Sequence, residues 1–226
     1  MEHMMQLMLK KFLVVFSLLF VVSGAACAET YVEGKHYKQV DQQKIIDSDK
    51  IEVLEFFWYG CPHCYSFEPY ISKWKQSKSD NVEFVRVPAT FQPLWTLHAR
   101  AYYALQMLGS GEQLHPKFFS EIHNKKNYMK TFDALTVFVQ EHGVERSEFI
   151  DAMNSFTVEN NVRKATKLVK DYQLNGVPAV AINGKYLISA SMAGGYDNMI
   201  KIMNFLIEKE SAKASVNAGE AHKNKS

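Results

Sequence analysis

The chain is short of cysteine and proline: its 226 residues carry three cysteines and six prolines. Three thiols are too few for a disulfide-stapled small scaffold and too few for a four-cysteine zinc site. Stability must come from a hydrophobic core, and a chain that is 47% apolar can supply one. Charge of one sign is also missing, since 26 Lys and Arg face 24 Asp and Glu for a formal net charge of +2. That balance, without any basic or acidic block, removes the electrostatic case for nucleic acid, which calls for a clustered basic face. No nucleic-acid partner is expected. Long hydrophobic runs are absent: the apolar stretch from Phe12 to Val22 is too short to cross a hydrocarbon core of roughly 30 Å as a helix. No internal repeat is present.

What is there begins with an export signal. Lys10 and Lys11 flank the apolar stretch, and Ala26-Cys27-Ala28 is a small-x-small cleavage site. The reading is a signal peptide over residues 1–28. A lipid anchor through Cys27 is the minority alternative, disfavoured by Gly24 where lipoprotein processing takes a larger aliphatic residue. Export places the chain outside the reducing cytosol, where disulfides persist.

The remaining cysteines, Cys61 and Cys64, follow an apolar run from Ile51 to Trp58 that suits a central strand covered on both sides. Gly60 breaks the run, and Pro62 suits the first turn of a helix. Phe67, Tyr70, Ile71 and Trp74 then recur at helical spacing. A second strand is expected over Val82–Val87, and helical texture from Trp95 to Tyr172, with breaks near Gly109-Ser110-Gly111, Asn124–Asn127 and Gly143. A hairpin follows around Asn183-Gly184, then a closing helix marked by Met199, Ile202, Met203 and Leu206. Residues 211–226 hold one bulky aliphatic residue, Val216, and read as a disordered tail. This order implies an α/β fold interrupted by helices. The expected parts are 29–94, a helical insertion over 95–161, and a second α/β part over 162–210.

A C-x-x-C pair on a strand-to-helix turn is a redox signal. The thiolate is the reacting species, and the helix N-terminus, with its unpaired N–H groups, should lower the pKa of Cys61. His63 adds a donor or a positive charge. Stabilising the thiolate favours the reduced form and makes the disulfide an oxidant. A structural disulfide would close too small a loop to stabilise much. A metal site lacks two further ligands, and haem attachment lacks a histidine at Tyr65. Neither a metal nor an organic cofactor is expected, because the dithiol itself carries the electrons. Glu55 is the odd residue of the apolar strand: either an edge residue reaching solvent or a buried acid near Cys64 with a raised pKa. Val177-Pro178 opens a strand and calls for an edge or a cis turn.

Glu55-Phe56-Phe57 through Cys61-Pro62-His63-Cys64, followed by Gly176-Val177-Pro178-Ala179, resembles the DsbA family of periplasmic thiol:disulfide oxidoreductases. Asn154-Ser155-Phe156, Val162-Arg163 and Asn183-Gly184-Lys185 resemble the family's final third. The resemblance implies a thioredoxin fold with an inserted α-helical domain, Cys61 as nucleophile and Cys64 as the resolving cysteine. It implies that His63 stabilises the thiolate, that Glu55 is the buried acid, and that Pro178 is a cis-proline beside the site. Val177 would then offer backbone groups to an extended substrate. The implied partners are unfolded exported polypeptides bearing cysteines and a DsbB-type quinone-linked membrane reoxidase; the implied location is the periplasm. One departure stands out, because some members pair the acid with a lysine on the next strand, whereas Val82–Val87 offers Glu83 and Arg86. The rival readings are an isomerase or reductase on the same scaffold, a redox-inert peptide-binding module, and a glutathione-conjugating relative.

Overall fold

In a computed structural model, residues 30–41 and 49–223 are described. The compact body begins at Tyr31. The expected leader over 1–28 and Cys27 lie outside the described residues.

Every residue of Ile51–Phe57 (β2) is buried, which requires neighbours on both edges and cover on both faces. It runs parallel to Val82–Pro88 (β3) and antiparallel to Ala179–Ile182 (β4). Tyr186–Ser189 (β5) and a two-residue strand, Lys38–Gln39 (β1), complete a mixed sheet of order β1-β5-β4-β2-β3. The β4–β5 turn is made by Asn183 and Gly184, both left-handed with φ of 54° and 69°. That is the geometry an Asn-Gly hairpin supplies. The brief strand β1 and the four-residue helix after β5 were not anticipated from the sequence.

Alternation along β2 divides its side chains between two layers. Ile51 and Val53 pack with Phe67, Ile71 and Trp74 of the helix Pro62–Ser77 (α1). Leu54 and Phe56 face the other way, toward Ala165, Leu168 and Val169. Between β3 and β4 run the helices Pro93–Met107 (α2), Gly111–His123 (α3), Phe132–Glu141 (α4), Arg146–Asn154 (α5) and Phe156–Asp171 (α6). The helical breaks fall where expected, with Gly109 and Gly143 at φ of 73° and 85°. One break went unmarked: Ser155 ends α5 and caps α6, its Oγ accepting from the Val158 N–H at 3.2 Å.

The expected limits of the insertion, 95 and 161, fall inside α2 and α6. Helix α6 is continuous, but its packing changes along its length. Val158 and Val162 belong to the helical core, whereas Ala165, Leu168 and Val169 lie on the sheet. The division near 161 is thus a change of packing partner within one helix rather than a chain break.

Over 211–223 the reading as a disordered tail is corrected; residues 224–226 lie outside the described residues. After the short helix Ala190–Ala193 (α7), the closing helix Tyr196–Lys223 (α8) continues far past Leu206. Bulky apolar residues are few there, but Ala, Glu and Lys are strong helix formers, and no proline interrupts them.

Gly184→Ala forces a Cβ into the left-handed region and should destabilise the fold by about 1–2 kcal/mol. The expected reading is a lower urea midpoint at unchanged slope; an unaltered midpoint would show that the turn carries no such constraint.

Candidate active site

At the end of β2 the chain turns sharply, the Cys61 N–H donating to the Trp58 carbonyl at 3.0 Å. Glycine is required at position 60, because a Cβ there would lie 2.3 Å from the Trp58 ring. That ring has little freedom to yield. It stacks on Trp95 at 4.1 Å, and its Nε1–H donates to His98 Nδ1 at 3.2 Å.

Pro62 then starts α1 and leaves Cys61 as its N-cap. The Cys61 sulfur accepts the Cys64 backbone N–H at 3.4 Å, taking the place usually filled by a Ser, Thr or Asp oxygen. No acidic residue in the first turn opposes negative charge on it. Cys61 is lowered to about 6, chiefly by the hydrogen bond from the Cys64 thiol. The backbone N–H groups of Cys64 and His63 and the charge of the His63 ring also lower it, against burial. Cys64 goes the other way. Burial pushes it well up, and the negative charges of Cys61 and Glu55 add to that. Two thiols three residues apart are therefore made chemically unequal.

The second wall comes from far along the chain. Cys61 Sγ donates to the Val177 carbonyl at 3.4 Å, and the Val177–Pro178 peptide is cis. A cavity of about 450 Å³ opens beside it, lined by His63, Val177, Pro178, Ser189, Gly195 and Tyr196 among others. The histidine is exposed, with Nδ1 3.2 Å from the Tyr196 hydroxyl.

Glu55 is buried, which removes the alternative of an edge residue reaching solvent. The β2–β3 register sets Arg86 directly opposite. Arg86 Nε donates to Glu55 Oε2 at 2.9 Å, and its NH2 to Glu68 Oε1 at 2.7 Å. Glu68 Oε2 meets His115 Nε2 at 3.3 Å, and His115 Nδ1 meets the Tyr59 hydroxyl at 2.9 Å. Arginine thus stands where some relatives were expected to carry lysine. Burial raises Glu55 to about 7, with the Glu68 charge adding and Arg86 opposing. A cavity of about 800 Å³ opens on this network from between α1 and α3 rather than on the sulfurs.

All six residues singled out from the sequence are accounted for. Cys61, Cys64, His63, Val177 and Pro178 gather at one turn, and Glu55 lies in the strand beneath. Arg86, Glu68, His115 and Tyr196 were missed as site residues. The helical offset of Glu68 from Cys64 was a usable signal for one of them; the others depended on register and packing. Among the described residues, no group of His, Cys, Asp and Glu is arranged to hold a metal ion.

The DSBA-like thioredoxin domain family matches residues 85–206. The chain is 38% identical to the thiol:disulfide interchange protein DsbA of Pseudomonas aeruginosa, over 84% of this chain and 90% of that protein. The chain belongs to the DsbA family. It is similar to the DsbA of Burkholderia cepacia as well, at 41% identity over 71% of this chain and 76% of the relative. The crystal structure of the Pseudomonas aeruginosa DsbA superimposes with a TM-score of 0.78 at 38% identity, covering 82% of this chain and 97% of that one. The DsbA oxidoreductase from Xylella fastidiosa gives 0.76 at 30% identity, over 80% and 98%. The α/β thioredoxin fold with an inserted helical domain, and the identification as a DsbA-type thiol:disulfide oxidoreductase, both stand.

For this DsbA-family enzyme the Cys61 thiolate absorbance should appear with a midpoint near pH 6 in the reduced protein. Iodoacetamide at neutral pH should block Cys61 and spare Cys64. A midpoint in the range of an ordinary thiol, roughly 8–9, would contradict the N-cap account.

Proposed function

We propose that the enzyme introduces disulfide bonds into newly exported polypeptides in the periplasm, by exchange through a Cys61–Cys64 disulfide. The inequality of the two thiols is the observation that carries this reading. A nucleophile lowered to about 6 is largely thiolate at neutral pH. That favours the dithiol, so the disulfide readily accepts electrons. A reductase or isomerase would need a less stabilised Cys61.

In the forward reaction a substrate thiolate attacks Cys61 Sγ, the Cys61–Cys64 bond breaks, and Cys64 leaves with the electron pair. A second substrate thiolate then attacks the substrate sulfur of the mixed disulfide and expels the Cys61 thiolate. Two electrons now rest on the enzyme, and a DsbB-type quinone-linked membrane partner removes them. Cys61 is the better leaving group, which speeds the second step. Cys64, held well above its ordinary value, must be protonated as it leaves. Glu55, at about 7, is suited to give that proton and to take it back on reoxidation. The Val177 carbonyl and the neighbouring cavity offer an extended substrate backbone and side-chain contacts. His63 adds its charge to the support of the Cys61 thiolate.

Equilibration against glutathione mixtures, followed by tryptophan fluorescence, should show the pair mostly reduced wherever the glutathione pool is balanced. A pair that stays a disulfide in excess reduced glutathione would end the oxidase reading.

Glu55→Gln should slow the single-turnover reaction with a dithiol peptide roughly tenfold or more at neutral pH. The parent's advantage over the variant should shrink as pH rises through about 7, where Glu55 loses its proton. Equal rates and pH profiles would assign the proton to water.

A further inference from the structure

The exchange steps above make no use of Tyr196, yet the fold delivers it to the site with some care. The chain leaves α7 through Gly194, whose φ of 72° suits glycine. The start of α8 is then tied across this turn, Asn198 Nδ2 donating to the Ala193 carbonyl at 2.6 Å and Oδ1 accepting from the Tyr31 hydroxyl at 3.1 Å. The Tyr196 ring packs against Phe67 and Tyr70 of α1, each at 5.7 Å between centroids. Its hydroxyl meets His63 Nδ1 at 3.2 Å, joining residues 133 apart in sequence.

We propose that Tyr196 is a positioning residue of the redox pair: from the start of α8 it holds the His63 ring of α1 near Cys61, and so helps set the oxidising strength of the disulfide. An exposed histidine in a first helical turn otherwise samples several rotamers. The attraction between its charge and the sulfur weakens as the separation grows. One hydrogen bond to a half-buried, packed tyrosine turns an averaged position into a held one. Burial raises Tyr196 most, a hydrogen bond with the Ser66 side chain opposes it, and the charges of Cys61 and Cys64 add to the rise, so the hydroxyl keeps its proton. Few other titratable groups face the pair. Helix α1 brings Tyr70 and the two cysteines, and α8 brings Asp197, whose carboxylate lies 3.4 Å from Lys201. The cis-proline loop, β5 and α7 bring only Asn175, Ser189 and Ser191 as polar side chains to the adjoining cavity.

The proposal rests on the oxidase reading, and Tyr196→Phe tests it without disturbing the ring packing. In the reduced protein the Cys61 thiolate midpoint should move up by about half a pH unit. The glutathione equilibrium should move about threefold toward the disulfide, the same half unit expressed as a ratio. In a His63→Ala background the same substitution should change neither reading. An unmoved midpoint in Tyr196→Phe would overturn the proposal, as would an equal shift in the absence of His63. A parent protein that proves a weak oxidant would defeat the oxidase reading, while the coupling of Tyr196 to His63 would still be read from differences among the variants.

Discussion

Everything at the active turn depends on a sulfur standing where a helix usually keeps an oxygen. As the N-cap of α1, Cys61 accepts the Cys64 N–H, and the first turn contains no acidic side chain to compete for the positive end of the helix. The cap therefore works best when Cys61 is charged. The same hydrogen bonds that begin the helix also stabilise the thiolate, so local folding and redox chemistry are one interaction. Gly60 and the stacked Trp58 and Trp95 rings make the geometry possible by fixing how the chain leaves β2.

Beneath this turn lies a second constraint, the burial of opposing charges. Glu55 and Arg86 are buried between the sheet, α1 and α3, and Glu68 sits beside them where the cavity between the two helices opens. A lone carboxylate there would be costly. Arg86 hydrogen-bonds two carboxylates, and His115 and Ser72 supply further hydrogen bonds to Glu68. The competition between burial and Arg86 leaves Glu55 near 7 rather than fully ionised. Replacing such a network by apolar residues often costs little or even stabilises. Stability alone is therefore a weak reason for such a network, and the proton transfer proposed for Glu55 would give it another.

Much of this was legible locally. The mostly apolar run of β2, the Cys-Pro-His-Cys turn and the Asn183-Gly184 hairpin each carry their structural instruction within a few residues. Other features were not legible for identifiable reasons. Arg86 was visible on β3, but its place opposite Glu55 follows from strand register. His115 and Tyr196 arrive from separate helices, and no short-range pattern links them to the cysteines. The closing helix outran expectation because a lack of core residues says nothing against helix propensity.

The sequence by itself determined the cysteine pair's place on a strand-to-helix turn, the strand that carries it and the place where helices interrupt the sheet, since backbone propensity and hydrophobic periodicity act over neighbouring residues. Only the tertiary structure decided which carbonyl meets Cys61, which cation meets Glu55 and which hydroxyl meets His63. Those contacts join residues 116, 31 and 133 positions apart. Their strength depends on distances and burial that exist only once both sheet faces are packed.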